Sequence, residues 1–558
     1  MAHKDDNSEQ IRSSDYLTRR GFLASSGGLA SLGLTALSHP GTPVRAKTPE
    51  AGVAPEAGVA GPPFNSIRDW VAALDAHGLL LRIPEVDQDA YHATGFFYEM
   101  IDRFTWWGAP ALLFDRVKIG GKWVEGPLLA NLQGHMSTDA IIWGLEVTGD
   151  YKVDFRRARN YMREVYKDNN HRWPTIPPSI TDSRASACKQ VVLRGSDIDL
   201  RRFPFVQTNP GDGGRYVNSG SVVTQDAAGR INLGTYRCQI KGPRKIALNP
   251  ETTQTGYRMI TEARDRGAKS YPVAVVVGQD PLVFMISSTK LSGFPRPGAQ
   301  TLDELSLAGG LRGEPLEVVK CETNGMLVPA HAEMIIEGEV LFDEPLEPEG
   351  PFGEMYGYLG PRDPEKFWMH VTAVTHREKP WITNMFTGME RGMVAAPFYT
   401  LIEHELKVRF PYLVEYYQPT DTMGITYLAI KKTKAGQGLE IGKAVARTDP
   451  MAKITVVLDD DVDLLNQQDI LRAIVARWQP HPATHILEDG RGIIIDPSQR
   501  APRKTSKIAI DATRQFPEEG GPAVFAANSR DLFNELQPEA IGEAEELYGE
   551  LLSKWVES

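Results

Sequence analysis

Cysteine is scarce in this chain, with three residues among 558. Cys188, Cys238 and Cys321 are widely separated and form no CxxC pair, which excludes a disulfide framework and a cysteine metal site. They are expected to be buried small hydrophobic residues. Basic patches are lacking too: the formal net charge is −11, both signs are interleaved, and no basic stripe carries interleaved aromatics. Nucleic acid is therefore not expected as a partner.

An apolar run long enough to span a membrane is also absent, because the stretch from Leu23 to Leu37 is too short and too weakly apolar. It follows Thr18-Arg19-Arg20-Gly21-Phe22-Leu23, a twin-arginine pattern. The sequence predicts a signal peptide over 1–46, cleaved after Ala46, and export of the folded protein to the periplasm. The alternative expectation is a disordered arm with a chance pair of arginines.

Beyond the signal, the chain divides into a linker and a globular part. The linker, 47–63, repeats the hexapeptide P-E-A-G-V-A, which is too rich in glycine and proline to pack. The fold class is predicted to be α/β, with an N-terminal α/β domain over 64–187, a central β-rich domain over 188–385 and a C-terminal α/β domain over 386–558.

Five segments carry the structural predictions. Residues 222–225 and 231–240 read as strands of a hairpin, because Asp226-Ala227-Ala228-Gly229 is a turn signal. A helix is expected over 253–266 and a buried strand over 273–277. A final helix places Ile541, Ala544, Tyr548, Leu551, Leu552 and Trp555 on one face, which is either a core face or a subunit contact.

The segment from Glu349 to Glu354 has the composition of a tight loop with two carboxylates. Gly350, Pro351 and Gly353 prevent a helix, so both glutamates can point into one pocket. Close carboxylates raise each other's pKa, which keeps one of them available as a proton donor. The alternative is an ordinary acidic surface turn.

Four stretches in a shared order resemble the UbiD family of decarboxylases, and the resemblance spans Ser66 to about Phe516. They are Asn232 to Arg237, Ile286 to Thr289, the segment around Glu304, and the loop from Glu349 to Glu354. Ser287 and Ser288 of the second stretch are expected near the end of a strand. The resemblance implies a split-barrel flavin-binding central domain and prenylated FMN as cofactor. It also implies that Arg237 clamps the substrate carboxylate, that Glu354 donates the proton and that Glu349 holds Arg237.

The resemblance further implies a set of cofactor-binding and metal-binding residues. Asn232 and Glu304 match the family's ligands for Mn²⁺ or Mg²⁺, and K⁺ is a further candidate ion. The family commonly adds a histidine after the arginine strand, but the matching place here holds Glu251 and Thr252. The residues expected to bind the cofactor are Asn232, Thr235, Tyr236, Arg237, Ser287, Ser288 and Glu304.

Together these features predict non-oxidative, reversible decarboxylation of an aromatic or α,β-unsaturated carboxylic acid. Two alternatives remain open: a flavin oxidoreductase on the same barrel, and a non-catalytic binding protein that has lost its metal histidine. The expected partners are a small carboxylic acid, a flavin prenyltransferase that supplies the cofactor, and further copies of the chain in a homodimer or larger homo-oligomer.

The strand 231–240 carries one geometric prediction. Asn232 and Arg237 are five residues apart and would face opposite sides of a regular strand, yet both are assigned to one cofactor. A bulge or sharp twist is therefore expected within Leu233 to Tyr236, at Gly234. The alternative is that Gly234 makes room for a neighbouring side chain.

Overall fold

The computed structural model describes residues 61–291 and 301–557. The predicted signal peptide over 1–46 and most of the predicted linker over 47–63 lie outside the described residues. Within the described residues, no helix is long and apolar enough to cross a membrane.

The N-terminal part of the chain builds a small mixed sheet with helices against it. α1 is N-capped by Ser66, whose hydroxyl accepts from the Asp69 N–H while the Asp69 carboxylate accepts from the Ser66 N–H, a reciprocal capping box. The fully buried Trp70 and Leu74 anchor α1 to the core. The elements are α1 (Ile67–Ala76), β1 (Leu80–Asp87), α2 (His92–Gly108), β2 (Ala111–Ile119), β3 (Lys122–Ala130), α3 (Thr138–Ile141), α4 (Tyr151–Asp168) and β4 (Ser179–Ile180).

The middle of the chain is dominated by strands. The elements are β5 (Val191–Arg194), β6 (Tyr216–Val217), β7 (Ser221–Gln225), β8 (Ile231–Thr235), β9 (Cys238–Gly242), β10 (Lys245–Leu248), α5 (Thr255–Asp265), β11 (Ser270–Val277), α6 (Pro281–Ser288), α7 (Glu304–Arg312), β12 (Glu317–Lys320), β13 (Leu327–Pro329), β14 (Met334–Leu341), β15 (Glu347–Glu349), β16 (Phe352–Gly353), β17 (Leu359–Gly360), β18 (Asp363–His376) and β19 (Ile382–Thr383).

These strands form a large antiparallel sheet in the order β6-β9-β10-β18-β14-β11-β7-β8, with β5 and β15 also paired to β18. The predicted buried strand lies within β11, where Val273 to Val277 are fully buried. The predicted hairpin is β7–β8, and the predicted helix 253–266 is α5. β19 leaves this region and pairs with β3, completing a sheet in the order β1-β2-β3-β19.

Two local predictions are wrong. The ladder between β7 and β8 is unbroken through Gly234, so there is no bulge in Leu233 to Thr235. A Cβ on Gly234 would lie 2.2 Å from the Tyr236 ring, so this glycine makes room for a side chain. The predicted strand 231–240 is interrupted at Tyr236, the last residue of the range predicted for the bulge, and at Arg237, where the chain passes from β8 to β9.

The second wrong prediction concerns Ser287 and Ser288, which were expected near the end of a strand. They form the last turn of α6. Asp280 caps that helix, because its carboxylate accepts from the N–H groups of Leu282 and Val283 at 3.0 Å each, and Pro281 occupies the first turn.

The C-terminal part is a mixed α/β sheet in the order β20-β21-β22-β24-β23. Its elements are α8 (Ala396–Arg409), β20 (Leu413–Tyr417), β21 (Ile425–Ile430), α9 (Gln437–Thr448), β22 (Ile454–Asp459), α10 (Gln467–Arg477), β23 (Thr484–Arg491) and β24 (Lys504–Asp511). With this sheet, the predicted α/β class is confirmed.

Two terminal helices follow, α11 (Ser529–Leu536) and α12 (Ala540–Glu557). Ile541, Ala544, Tyr548 and Leu551 of α12 are all exposed. For these four positions the core-face alternative is wrong, and the subunit contact stays a prediction.

Candidate active site

Arg237 lies between the two carboxylates of the loop from Glu349 to Glu354. Its Nε donates to Glu349 Oε1 at 3.0 Å and its Nη2 donates to Glu349 Oε2 at 2.8 Å, which is a bidentate guanidinium–carboxylate pair. Its Nη1 donates to Glu354 Oε1. The pairing of Glu349 with Arg237 expected from the sequence is therefore present, and Glu354 contacts the same guanidinium.

The three side chains are largely withdrawn from solvent. The Glu349 side chain is fully buried, while those of Glu354 and Arg237 are 11% and 13% exposed. The Arg237 guanidinium carbon also lies 4.9 Å from the centre of the Phe352 ring. Because removal of one member of a buried ion pair leaves an uncompensated charge, the three groups depend on one another.

The local sequence explains this arrangement. Arg237 lies in the short break between β8 and β9, where no ladder constrains its direction. Gly350 has a φ of 84°, which glycine adopts without strain, and turns the chain immediately after Glu349. Gly360 approaches Glu354 so closely that a Cβ there would lie 2.7 Å from Glu354 Cγ. The tight loop predicted here is confirmed.

Side chains from distant parts of the chain hold this loop. Asp212 Oδ1 accepts from the Gly353 N–H at 2.8 Å, and Gln239 Oε1 accepts from the Gly350 N–H at 3.2 Å. Gln239 Nε2 also donates to the Gly213 carbonyl at 2.6 Å. Sequence reasoning missed Asp212 and Gln239, and the signal available was the glycine-rich turn around Asp212.

Burial and charge act against each other on the titrating groups. The pKa of Glu354 is raised, chiefly because burial disfavours the carboxylate and further because Glu349 is close, although Arg237 opposes both effects. Burial by itself would lower the pKa of Arg237, but Glu354 and Glu349 outweigh it and the pKa is raised. The site thus holds a permanent cation beside a carboxyl that accepts a proton more readily than an exposed glutamate.

A chain of hydroxyl groups begins at the expected cofactor residues. Thr235 Oγ1 and Ser287 Oγ are hydrogen-bonded at 2.9 Å, Ser221 Oγ donates to Ser287 Oγ at 2.7 Å, and Gln279 Nε2 donates to Ser221 Oγ at 2.9 Å. Thr235 and Ser287 are therefore brought together. The hydroxyls of Ser287 and Ser288 both donate to the Phe284 carbonyl of their own helix at 2.9 Å, but among the described residues Ser288 has no hydrogen bond to the other hydroxyl groups of this chain.

The other expected cofactor residues surround Gly234. Tyr236 is buried over this glycine, is hydrogen-bonded to the Asn232 side chain, and has a pKa raised to about 12 by burial. Asn232 Nδ2 also donates to Thr224 Oγ1 at 3.1 Å. Glu304 accepts from the Leu233 N–H, and burial raises its pKa to about 8. Glu304 thus reaches the strand that carries Asn232.

The predicted metal ligands are not part of a cluster of histidine, cysteine, aspartate or glutamate side chains among the described residues. No group of three or more histidine, cysteine, aspartate or glutamate side chains is placed to hold a metal within residues 61–291 and 301–557. At the place of the family histidine, Arg503 Nη2 donates to Glu251 Oε2 at 2.6 Å and to Thr252 Oγ1 at 3.3 Å. The pair Asn232 and Glu304 therefore stays a prediction.

A cavity of about 430 Å³, including its open mouth, adjoins the hydroxyl chain through Ser219 and Gln279. Its other walls come from residues 130–133, 383–385 and 390–392 and from Ile67, Trp70, Pro281 and Phe284. Gln279 Oε1 is buried and has no hydrogen-bond partner among the described residues. Glu390, also in the wall, has a pKa raised to about 8 by burial. The cavity thus offers Gln279 Oε1 as an unused hydrogen-bond acceptor and the Glu390 carboxyl, whose neutral form is favoured by burial.

Two family descriptions match adjacent parts of the chain. Residues 179–390 match "UbiD: 3-octaprenyl-4-hydroxybenzoate carboxy-lyase Rift-related domain". Residues 392–512 match "UbiD_C: 3-octaprenyl-4-hydroxybenzoate carboxy-lyase C-terminal domain". The two ranges together span more than half of the sequence.

Solved structures share the fold over most of the chain. The UbiD-class enzyme HmfF from Pelotomaculum thermopropionicum, in complex with FMN, matches with a TM-score of 0.69 and 24% identity over 84% of this chain and 98% of its own. The open form of vanillic acid decarboxylase from Sedimentibacter hydroxybenzoicus has a TM-score of 0.70 and 25% identity, covering 86% and 99%. The 3,4-dihydroxybenzoic acid decarboxylase of Enterobacter cloacae has a TM-score of 0.68 and 21% identity, covering 86% and 100%.

Proposed function

Because the chain belongs to the UbiD family of carboxy-lyases, we propose that it catalyses non-oxidative, reversible decarboxylation with prenylated FMN. The substrate is an aromatic or α,β-unsaturated carboxylic acid. The bond between the substrate and its carboxylate breaks, carbon dioxide leaves, and a proton takes its place. The observation that carries the proposal is the position of Arg237 between Glu349 and Glu354.

The guanidinium of Arg237 keeps donors for a substrate. Of its five N–H groups, two are used by Glu349 and one by Glu354, which leaves one on each terminal nitrogen. Two parallel N–H groups suit a planar carboxylate, and Glu349 fixes the plane in which they lie. Arg237 therefore binds and orients the carboxylate that will leave.

Glu354 has the properties of the proton donor. Burial raises its pKa, so the protonated form persists above the pH at which an exposed glutamate ionises. Its contact with Arg237 places it beside the carboxylate that Arg237 binds. After carbon dioxide departs, Glu354 transfers its proton to the carbon atom, and in the carboxylation direction it removes that proton.

The residues present fit the cofactor in two respects. The cavity beside Ser219 and Gln279 has an unused acceptor for a ring N–H, and the pair Thr235–Ser287 offers hydroxyl groups for a phosphate. When bound, prenylated FMN supplies the sink for the electron pair that carbon dioxide leaves behind. A flavin prenyltransferase is the source of that cofactor.

Mn²⁺ or Mg²⁺ is the metal that suits the predicted ligands. Glu304 is half-buried, and among the described residues no cation forms an ion pair with it. A hard divalent cation would be held by Glu304 and the Asn232 side-chain oxygen, and it would supply the missing positive charge beside the cofactor. Arg503 engages Glu251 and Thr252. This leaves the side chains of Glu304 and Asn232 as the protein ligands of the metal.

The test uses the full chain co-expressed with a flavin prenyltransferase. The purified protein should carry the absorbance of prenylated FMN and should release carbon dioxide from, or exchange deuterium into, members of an aromatic acid panel. Glu354→Gln should lower turnover by about 10²–10⁴-fold with the flavin retained. Glu347→Gln is the matched control, because Glu347 belongs to the same loop region and pairs with Lys245.

The outcomes separate the candidate functions. Plain FMN with hydride-transfer activity would favour the oxidoreductase, and a protein without chromophore would favour the binding protein. Turnover of Glu354→Gln within a few-fold of the parent would refute the assignment of Glu354.

A further inference from the structure

A second cleft opens between the end of α2, the start of α4 and the C-terminal sheet. It encloses about 760 Å³, including its mouth. Four aromatic side chains line it: Trp107, Tyr151, Tyr417 and Tyr427. Among the lining residues, Asp421 is the acidic one and Lys152 the basic one. None of them belongs to the site around Arg237.

Asp421 is a half-buried carboxylate without a counter-charge among the described residues. Its Oδ2 accepts from Trp107 Nε1 at 3.2 Å and its Oδ1 accepts from Thr422 Oγ1 at 3.4 Å. Among the described residues no cation forms an ion pair with it, and burial raises its pKa. Each oxygen keeps a further lone pair, so the carboxylate can still accept a hydrogen bond or a positive charge.

The aromatic rings make the cleft favourable for a cation. Trp107 and Tyr417 have ring centres 6.3 Å apart and are tilted by 46°. The pKa of Tyr427 is raised mainly by burial and to a smaller extent by the negative charge of Asp421. The faces of tryptophan and tyrosine rings attract cations, and the attraction is strongest where water is excluded.

The cleft wall also contains a strained residue. Thr105 has φ 62° and ψ 170° inside α2, a conformation that is essentially restricted to glycine. Thr105 forms a kink in α2, and Trp107 lies two residues after it. The Met136 N–H holds this segment in place by donating to the Trp107 carbonyl at 2.9 Å. Such strain persists only where the surroundings enforce it, and it is common at ligand sites.

From these observations we propose that the cleft binds a small organic cation with an alkylated ammonium group, held against the rings of Trp107, Tyr417 and Tyr427 and neutralised by Asp421. An alkylated ammonium group fits better than a metal ion, because the lining offers one carboxylate and several ring faces rather than a set of oxygen ligands. The proposal is independent of the decarboxylase function.

Lys152 supports the alternative of an anionic ligand, namely an aromatic carboxylate bound by the Lys152 ammonium group. It lies at the start of α4, is partly exposed, and forms no ion pair with a carboxylate of the described residues. The two ligand classes predict opposite effects of removing its charge. Lys152→Met should strengthen the binding of a cation and weaken the binding of a carboxylate.

The experiment is isothermal titration of the full-length protein with choline, with its neutral isostere 3,3-dimethylbutan-1-ol and with benzoate, all at one ionic strength. Choline should bind about tenfold or more tightly than the isostere, because the two differ in charge and hardly in shape. Asp421→Asn should abolish that preference. Asp460→Asn is the control, because Asp460 is an exposed carboxylate of the same part of the chain.

A second pair of variants distinguishes ring contact from folding. Tyr427→Phe keeps the ring face and should keep choline binding, whereas Tyr427→Leu should weaken it about tenfold. Equal binding of choline and its isostere, a preference for benzoate, or no choline binding to the parent protein would each overturn the proposal. Unchanged choline affinity in Asp421→Asn would do the same.

Discussion

Gly360 tests how precisely Glu354 must be placed. A Cβ at this position would lie 2.7 Å from Glu354 Cγ and 2.9 Å from its Oε1, so alanine must push the carboxylate away from Arg237. We expect Gly360→Ala to lower turnover by about tenfold to a hundredfold, with the thermal midpoint nearly unchanged. Gly242→Ala is the matched control, since no atom lies within 4 Å of its added Cβ. Equal turnover of the two variants would contradict the role of Glu354.

The raised pKa of Glu354 predicts the pH dependence of decarboxylation. A carboxyl whose pKa lies above its ordinary value of 4.5 stays protonated to higher pH. Turnover that needs this proton is therefore complete on the acidic side and is lost as the pH rises through the raised pKa. A turnover–pH profile checks this, and Glu347→Gln should keep the same alkaline limb. A limb that rises with pH would show that Glu354 acts as an anion.

At the scale of secondary structure, the kink in α2 can be tested directly. Thr105→Gly should stabilise the protein by about 1 kcal/mol, because glycine adopts φ 62° without the strain that threonine bears. Asp102→Gly is the control in the same helix, where glycine should destabilise by about 1 kcal/mol. Urea unfolding of the two variants gives the comparison. Destabilisation by both would mean that Thr105 is not strained.

Elements with local signals were predictable from the sequence. The hairpin β7–β8 follows from its turn residues, and the loop after Glu349 follows from Gly350 and Pro351. The error at Ser287 arose because the apolar run before it suits a strand as well as a helix, although Asp280 and Pro281 form a helix start. The hydrogen bonds from Asp212 and Gln239 to the loop were not predictable, because they join residues 141 and 111 positions apart; the glycine-rich turn around Asp212 indicated an unusual loop but not its partner.

For the whole molecule, the exposed faces of α11 and α12 predict self-association. Leu536 and Leu551 are each 63% exposed, and the neighbouring Leu547 is 71% exposed. Adjacent apolar side chains on terminal helices favour a contact with a second copy of the chain. We expect a homodimer by light scattering, and we expect Leu536→Glu with Leu551→Glu to yield monomers.

The control for this prediction is Val408→Glu. Val408 is 73% exposed on α8 and lies outside the two terminal helices, so its replacement should leave the mass unchanged. A monomeric parent protein, or a doubly substituted protein of unchanged mass, would contradict the assignment of α11 and α12 to a subunit contact.

The pairing of β19 with β3 has a consequence for synthesis on the ribosome. Ile382 and Thr383 of β19 complete the sheet β1-β2-β3-β19, whose first three strands end at Ala130. The strands of the large antiparallel sheet all lie between β3 and β19 in the sequence. The nascent chain therefore cannot finish its first sheet until roughly two thirds of the polypeptide has been translated. Although domains usually fold in order from the N-terminus, here the first one to emerge must wait for the second. A nascent chain stalled on the ribosome before Ile382 is translated should expose the edge of β3 to chaperones.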